Sequence, residues 1–128
     1  MLKEVQILIE EGEYKSKNKT VFKNLIQMIL EKDRYKITQN VHDTGLEINL
    51  FAEHKTKNEI LYAECKAKIK PKSTEINNFI YAMDYGVEDK KADYGYFIYT
   101  QQLDRQAATL ILKLSKQKKN VSFIGPNE

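Results

Sequence analysis

The residues of this chain with the clearest chemical potential are Asn49, Glu64 and Lys66. Cutting a phosphodiester with water takes a hard divalent ion, which wants oxygen ligands and usually a carboxylate or two. It also takes a cation beside the phosphate, to steady developing charge or to orient or deprotonate the attacking water. An acid on one strand followed by Glu-x-Lys on the next supplies those parts, and Glu64-Cys65-Lys66 is such a tripeptide.

Alternating polarity predicts strands over Leu46–His54 and Ile60–Ala67, joined by the turn Lys55-Thr56-Lys57-Asn58. With His54 opposite Glu59, antiparallel pairing sets Asn49 opposite Glu64 and Glu47 opposite Lys66. Alternation then puts Glu47, Asn49, Glu64 and Lys66 on one face of an otherwise apolar ribbon. Ile48, Leu50, Ala52, Leu61, Ala63 and Cys65 fall on the other.

The phrase Gly45-Leu46-Glu47-Ile48-Asn49-Leu50, followed by Tyr62-Ala63-Glu64-Cys65-Lys66, resembles the core of the restriction-endonuclease-like nucleases. These form the PD-(D/E)xK superfamily, and the Mrr-like branch of DNA-cleaving defence enzymes is the nearest in flavour. The resemblance implies a metal-dependent DNA endonuclease with catalytic residues at positions 49, 64 and 66. It implies Mg2+ or Mn2+ held by residue 49, Glu64 and the carbonyl of Cys65. It also implies double-stranded DNA as substrate and a homodimer, or a module of a larger assembly, as the working unit. One departure stands out: the pattern calls for aspartate where this chain has Asn49. An amide keeps the shape and one acceptor oxygen but loses the charge. Either the chain is a degenerate relative that binds nucleic acid without cutting it, or the aspartate has been replaced to disarm a toxic nuclease.

Composition bounds the rest. The chain has 128 residues, 41% hydrophobic and 30% charged, as a single soluble globular domain would. Residues 1–19 read as an N-terminal helix and loop and residues 20–125 as the core, with Gly125-Pro126 a plausible start of a linker to further domains. A lone cysteine rules out an internal disulfide and suits a reducing cytoplasm. No leader is expected, because residues 1–20 are charged, and no run is long enough for a membrane span. The net charge of +3 is too mild to name a partner, but Lys68, Lys70 and Lys72, together with Lys55, Lys57 and Lys66, crowd the turn and the exit of the Glu-x-Lys strand. Such a stripe suits a phosphate backbone, or equally a solvated edge that blocks aggregation.

Taken in order, helices are expected over 2–12, stopped by Gly12, and over 20–32, capped by Thr20. Residues 34–42 form an opening strand, and Asp43-Thr44-Gly45 a turn. After Pro71, Ser73 or Thr74 caps a helix that ends at Gly86. In that helix Glu75 and Asn78 are expected to face solvent. Tyr94–Thr100 reads as a central strand whose tyrosines pack in the core, 102–118 as an amphipathic helix, and Val121–Ile124 as a last strand. His42 and His54 have no second ligand at a metal spacing, and Cys65 reads as a small buried hydrophobe. The order α-α-β-β-β-α-β-α-β predicts an α/β fold, a central mixed sheet flanked by helices, as in the restriction-endonuclease-like core.

The sequence has no P-loop, no dinucleotide-binding glycine fingerprint, no Gly-x-Ser-x-Gly elbow and no Cys-x-x-Cys pair. Besides the endonuclease, an inactive nucleic-acid-binding or assembly domain of the same fold accounts for Asn49. A protein-interaction module would make Glu64 and Lys66 ordinary surface charges.

Overall fold

The computed structural model describes residues 2–15, 19–43, 45–67 and 69–126, with the side chains of 2, 10–15 and 19 left aside. Helices α1 (Leu2–Lys15) and α2 (Lys19–Lys32) lead into strands β1 (Tyr35–Asp43), β2 (Leu46–His54) and β3 (Ile60–Lys66). Helix α3 (Ser73–Tyr85), strand β4 (Tyr94–Tyr99), helix α4 (Arg105–Gln117) and strand β5 (Val121–Ile124) complete the order. The sheet has five strands in sequential order, β1-β2-β3-β4-β5. Its first three strands are antiparallel, whereas β3, β4 and β5 run parallel. Short turns serve the antiparallel part, and α3 and α4 are the crossovers that parallel neighbours require.

Each face of the sheet carries its own core. On one side Val5 and Ile9 of α1 and Phe22, Ile26 and Leu30 of α2 pack over Leu50, Ala52, Leu61, Ala63 and Ile98. On the other Ile76, Phe79 and Met83 of α3 and Ala107, Ile111 and Leu114 of α4 cover Phe51, Tyr62, Phe97 and Val121. Within that second core Phe97 lies edge-on to Phe79 at 5.7 Å and beside Phe123 at 5.9 Å, separations at which aromatic quadrupoles attract. Gln6 Nε2 of α1 donates to the carbonyl of Gly125 at 3.1 Å, so the first helix touches the chain just beyond the last strand.

Several expected boundaries move. Gly12 does not stop α1, which runs on to Lys15. Residue 19 is already helical, so Thr20 is not the cap of α2. Ser73 is the first helical residue of α3, not its cap; Lys72 holds the cap position and its N–H donates to Glu75 Oε1 at 3.0 Å. Helix α4 begins at Arg105 because the Asp104 side chain caps it, accepting the Ala107 N–H at 2.8 Å. The wide stripe of α2 is narrower than hydrophobicity suggests, since Val21 and Met28 are 47% and 60% exposed. Tyr94, at 47% exposure, also stands outside the core.

The hairpin register holds. His54 N–H donates to the Glu59 carbonyl at 2.9 Å, and Leu50 pairs with Ala63 and Phe51 with Tyr62. The face assignment fails at one point. The β1–β2 ladder skips from Gln39↔Leu50 to Val41↔Ile48, leaving Asn40 and Asn49 out of the pairing. Asn40 has φ 54°, in the left-handed region that asparagine tolerates better than most residues. This break acts as a β-bulge does, twisting the pair and re-aiming side chains. Leu50 and Ala52 face α1 and α2, yet Ile48, which strict alternation puts beside them, joins the core under α3 and α4. Asn49 sits at the turnover.

Candidate active site

The β2–β3 ladder stops at Leu50↔Ala63. One step further, where the register sets Asn49 opposite Glu64, side chains replace the backbone pairing. Asn49 N–H donates to Glu64 Oε1 at 3.2 Å, and Cys65 N–H donates to Asn49 Oδ1 at 3.0 Å. The two functional strands are thus stitched together by the very residues expected to act.

Glu64 and Lys66 share a face of β3, as alternation requires. Lys66 Nζ lies 3.4 Å from Glu64 Oε2 and 2.8 Å from Glu75 Oε2. Glu75 is therefore only partly open to solvent: one of its oxygens caps α3 and the other holds Lys66. The sequence did contain a signal for this. A glutamate at the third position of a helix turns back toward the cap, and this helix follows closely on the strand that carries Lys66.

These contacts set the charges. Burial raises the Glu64 carboxyl above the usual carboxylate range, and neither the Lys66 charge nor the Asn49 N–H cancels that. Burial alone would lower Lys66, but the hydrogen bond that it donates to Glu75 and the charges of Glu64 and Glu75 outweigh it and hold the ammonium above the ordinary lysine value. For Glu75 burial pushes upward, while the bonds from Lys66 and from the Lys72 N–H prevail and lower it. The Cys65 thiol is pushed up by burial and stays protonated.

Lys66 stands between separate hollows. A cavity of about 250 Å³ on the α3 side is lined by Glu47, Glu64, Lys66, Glu75 and Asn78. Another, of about 180 Å³ on the α2 side, is lined by Thr20, Lys23, Asn49, Cys65 and Lys66. The expected single patch is therefore split. Asn49 and Glu64 touch, but the turnover at Asn40 and Asn49 takes the amide to the α2 side while Glu64 faces α3. Lys23 was not foreseen at all, since only the packing of α2 on the bent strands brings it there; its Nζ donates to Asn40 Oδ1 at 3.2 Å. Of the lysine stripe, Lys70 and Lys72 are exposed, and Lys68 lies outside the described residues.

A family model described as restriction endonuclease, of the Mrr catalytic type, matches residues 15–124. The chain belongs to this restriction endonuclease family. Its fold is shared with a crystal structure titled as a protein of unknown function, AF1548, at a TM-score of 0.60 and 18% identity. That likeness covers 84% of this chain and 58% of the other. No curated protein matches the chain in sequence.

Nucleases of this restriction endonuclease class generally use divalent metal ions. The donor set of this chain does not suit one. Glu64 is the carboxylate that meets Asn49 at the strand junction, and its oxygens already face the Asn49 N–H and Lys66. The Asn49 oxygen is taken up by the Cys65 N–H. Among the described residues no group of three or more His, Cys, Asp or Glu side chains is placed to hold a metal ion. Nor, among them, is any helix long and apolar enough to cross a membrane.

Proposed function

We propose that the chain is an endonuclease domain that hydrolyses phosphodiester bonds of double-stranded DNA with Mg2+ or Mn2+, in a restriction or antiviral defence system of the cytoplasm, and that Asn49 impairs it as written. What carries this reading is the meeting of Glu64, Lys66 and residue 49 at one strand junction in a member of the restriction endonuclease family. Lys66, held protonated by Glu75, offers positive charge to a phosphate rather than acting as a base. Lys70 and Lys72 are exposed to extend that charge along a backbone, and Lys68 is proposed from the sequence to bind with them. Cutting both strands calls for a second copy or a partner module.

The test is to make Asn49→Asp and to assay plasmid nicking with Mg2+ and with Mn2+. Nicking should appear or rise by about a hundredfold or more, and Lys66→Ala in the same background should remove it. A restored carboxylate that cuts neither DNA nor RNA under any condition overturns the reading.

A second reading, a nucleic-acid-binding domain that no longer cuts, is favoured by the Asn49 oxygen being engaged by Cys65 and by the unsuited donor set. It expects DNA affinity that ignores chelators, falls steeply with salt and gains no cleavage from Asn49→Asp.

A further inference from the structure

The α2-side cavity carries an inference of its own, independent of whether the domain cuts. Among the described residues no carboxylate lines it: its walls are Thr20, Lys23, Asn49, Cys65, Lys66, Ala67 and Ile69. The orientation of the Asn49 amide is fixed by its partner. A backbone N–H can only donate, so the Asn49 atom that meets the Cys65 N–H at 3.0 Å must be the oxygen. The other end of that amide, Nδ2, is then a pure donor, and Asn49 is one of the residues that line the cavity. Lys23 adds an ammonium that spends one N–H on Asn40 and has others to give. The space of about 180 Å³ is roughly six times the ~30 Å³ of a liquid water, ample for a tetrahedral oxyanion.

We propose that in this chain the cavity between α2 and the bent β2–β3 junction is a phosphate-binding site that works without a metal ion, with Asn49 Nδ2 and Lys23 Nζ as the donors. An aspartate at 49 would present an oxygen in place of Nδ2 and bring a negative charge to the wall. The site would then repel the anion and favour a cation. The residue at 49 thereby selects the sign of the ligand.

The test is a titration of the 15N-labelled full chain with inorganic phosphate in EDTA, against chloride at matched ionic strength. A second arm uses a short oligonucleotide without terminal phosphate, so that a free phosphate and a backbone diester are told apart. The Asn49 side-chain amide and the Cys65 and Lys66 amides should shift saturably in at least one arm. Lys23→Gln and Asn49→Asp should each weaken the response by about tenfold or more, with unchanged spectra elsewhere showing that both variants fold. Binding confined to one arm identifies the source of the phosphate and supports the site. No saturable shift in either arm, or equal binding by Asn49→Asp, overturns it. Metal-dependent cleavage by Asn49→Asp would leave this result untouched, because the titration concerns the chain with asparagine and no metal.

Discussion

Lys66 is nearer to Glu75, at 2.8 Å, than to Glu64 of its own strand, at 3.4 Å. The cation thus answers to the helix that follows it more than to the motif that contains it. Glu75→Gln should lower the Lys66 pKa, because it weakens the hydrogen bond and removes one of the two charges that together outweigh burial. In an Asn49→Asp background the alkaline limb of the cleavage profile should move to lower pH. NMR titration of the Lys66 ammonium checks the first statement and a pH–rate profile the second. An unmoved ammonium would show that Glu75 serves α3 alone.

Asn49→Asp should also cost stability when no metal is present. It sets a second carboxylate on the residue whose backbone N–H meets Glu64 Oε1. Like charges on neighbouring residues oppose ionisation of the pair, and a loss of about 1–2 kcal/mol falls in the ordinary range for single substitutions. Melting in EDTA should drop by about 3–8 °C, and Mn2+ should return part of it, since an ion that binds only the folded state stabilises it. Melting that is equal with and without Mn2+ would mean that the completed pair still binds no ion.

Alkaline pH should unfold the domain. Tyr35, Tyr62 and Tyr96 all titrate above the ordinary phenol value, burial being the largest cause for each, and Tyr35 also bonds Glu59. A folded pKa raised above the unfolded value gives stability that is intact below about pH 10 and declines as pH rises past it. The Tyr62 hydroxyl accepts the Val87 N–H at 2.9 Å and donates to the Lys90 carbonyl, so its ionisation also breaks the anchor of the loop after α3. Melts from pH 8 to 11 should stay level to about pH 10 and fall beyond it, and Tyr35→Phe should lessen the fall. A melting temperature constant across that span would contradict the burial of these phenols.

Gly95→Ala should destabilise the sheet. A methyl group there would lie 2.6 Å from Met83 Sδ and 3.1 Å from the Phe79 ring. Overpacking of this kind costs about 1–3 kcal/mol. Met83 is flexible and can yield, which favours the lower half of that range. Urea denaturation measures it, and a neutral result would mean that α3 rides further from β4 than these contacts require.

Much of this was legible in the residues. Alternation in Leu46–His54 and Ile60–Lys66 is strict enough to give strands and register together, and the turn between them left one sensible pairing. Apolar spacing gave α2, α3 and α4 to within a few residues. The turnover at Asn40 and Asn49 was not legible, because a break in the pairing shows itself through a partner strand and a positive φ, neither of which alternation records. The split of the site into separate cavities follows from that one irregularity. The role of Glu75 is hidden for a different reason: a charged residue in a first helical turn is usually solvated, and only the crossover after β3 brings it over Lys66.

The contact between Gln6 and the Gly125 carbonyl has a consequence for how the chain may be rearranged. A fold whose opening helix meets its closing segment can be spliced there and cut at an exposed loop instead, for instance between Glu88 and Lys91, with the sheet order unaltered. By the same geometry, a host protein carrying this unit as an insert would need to spare little more than a single surface point of attachment.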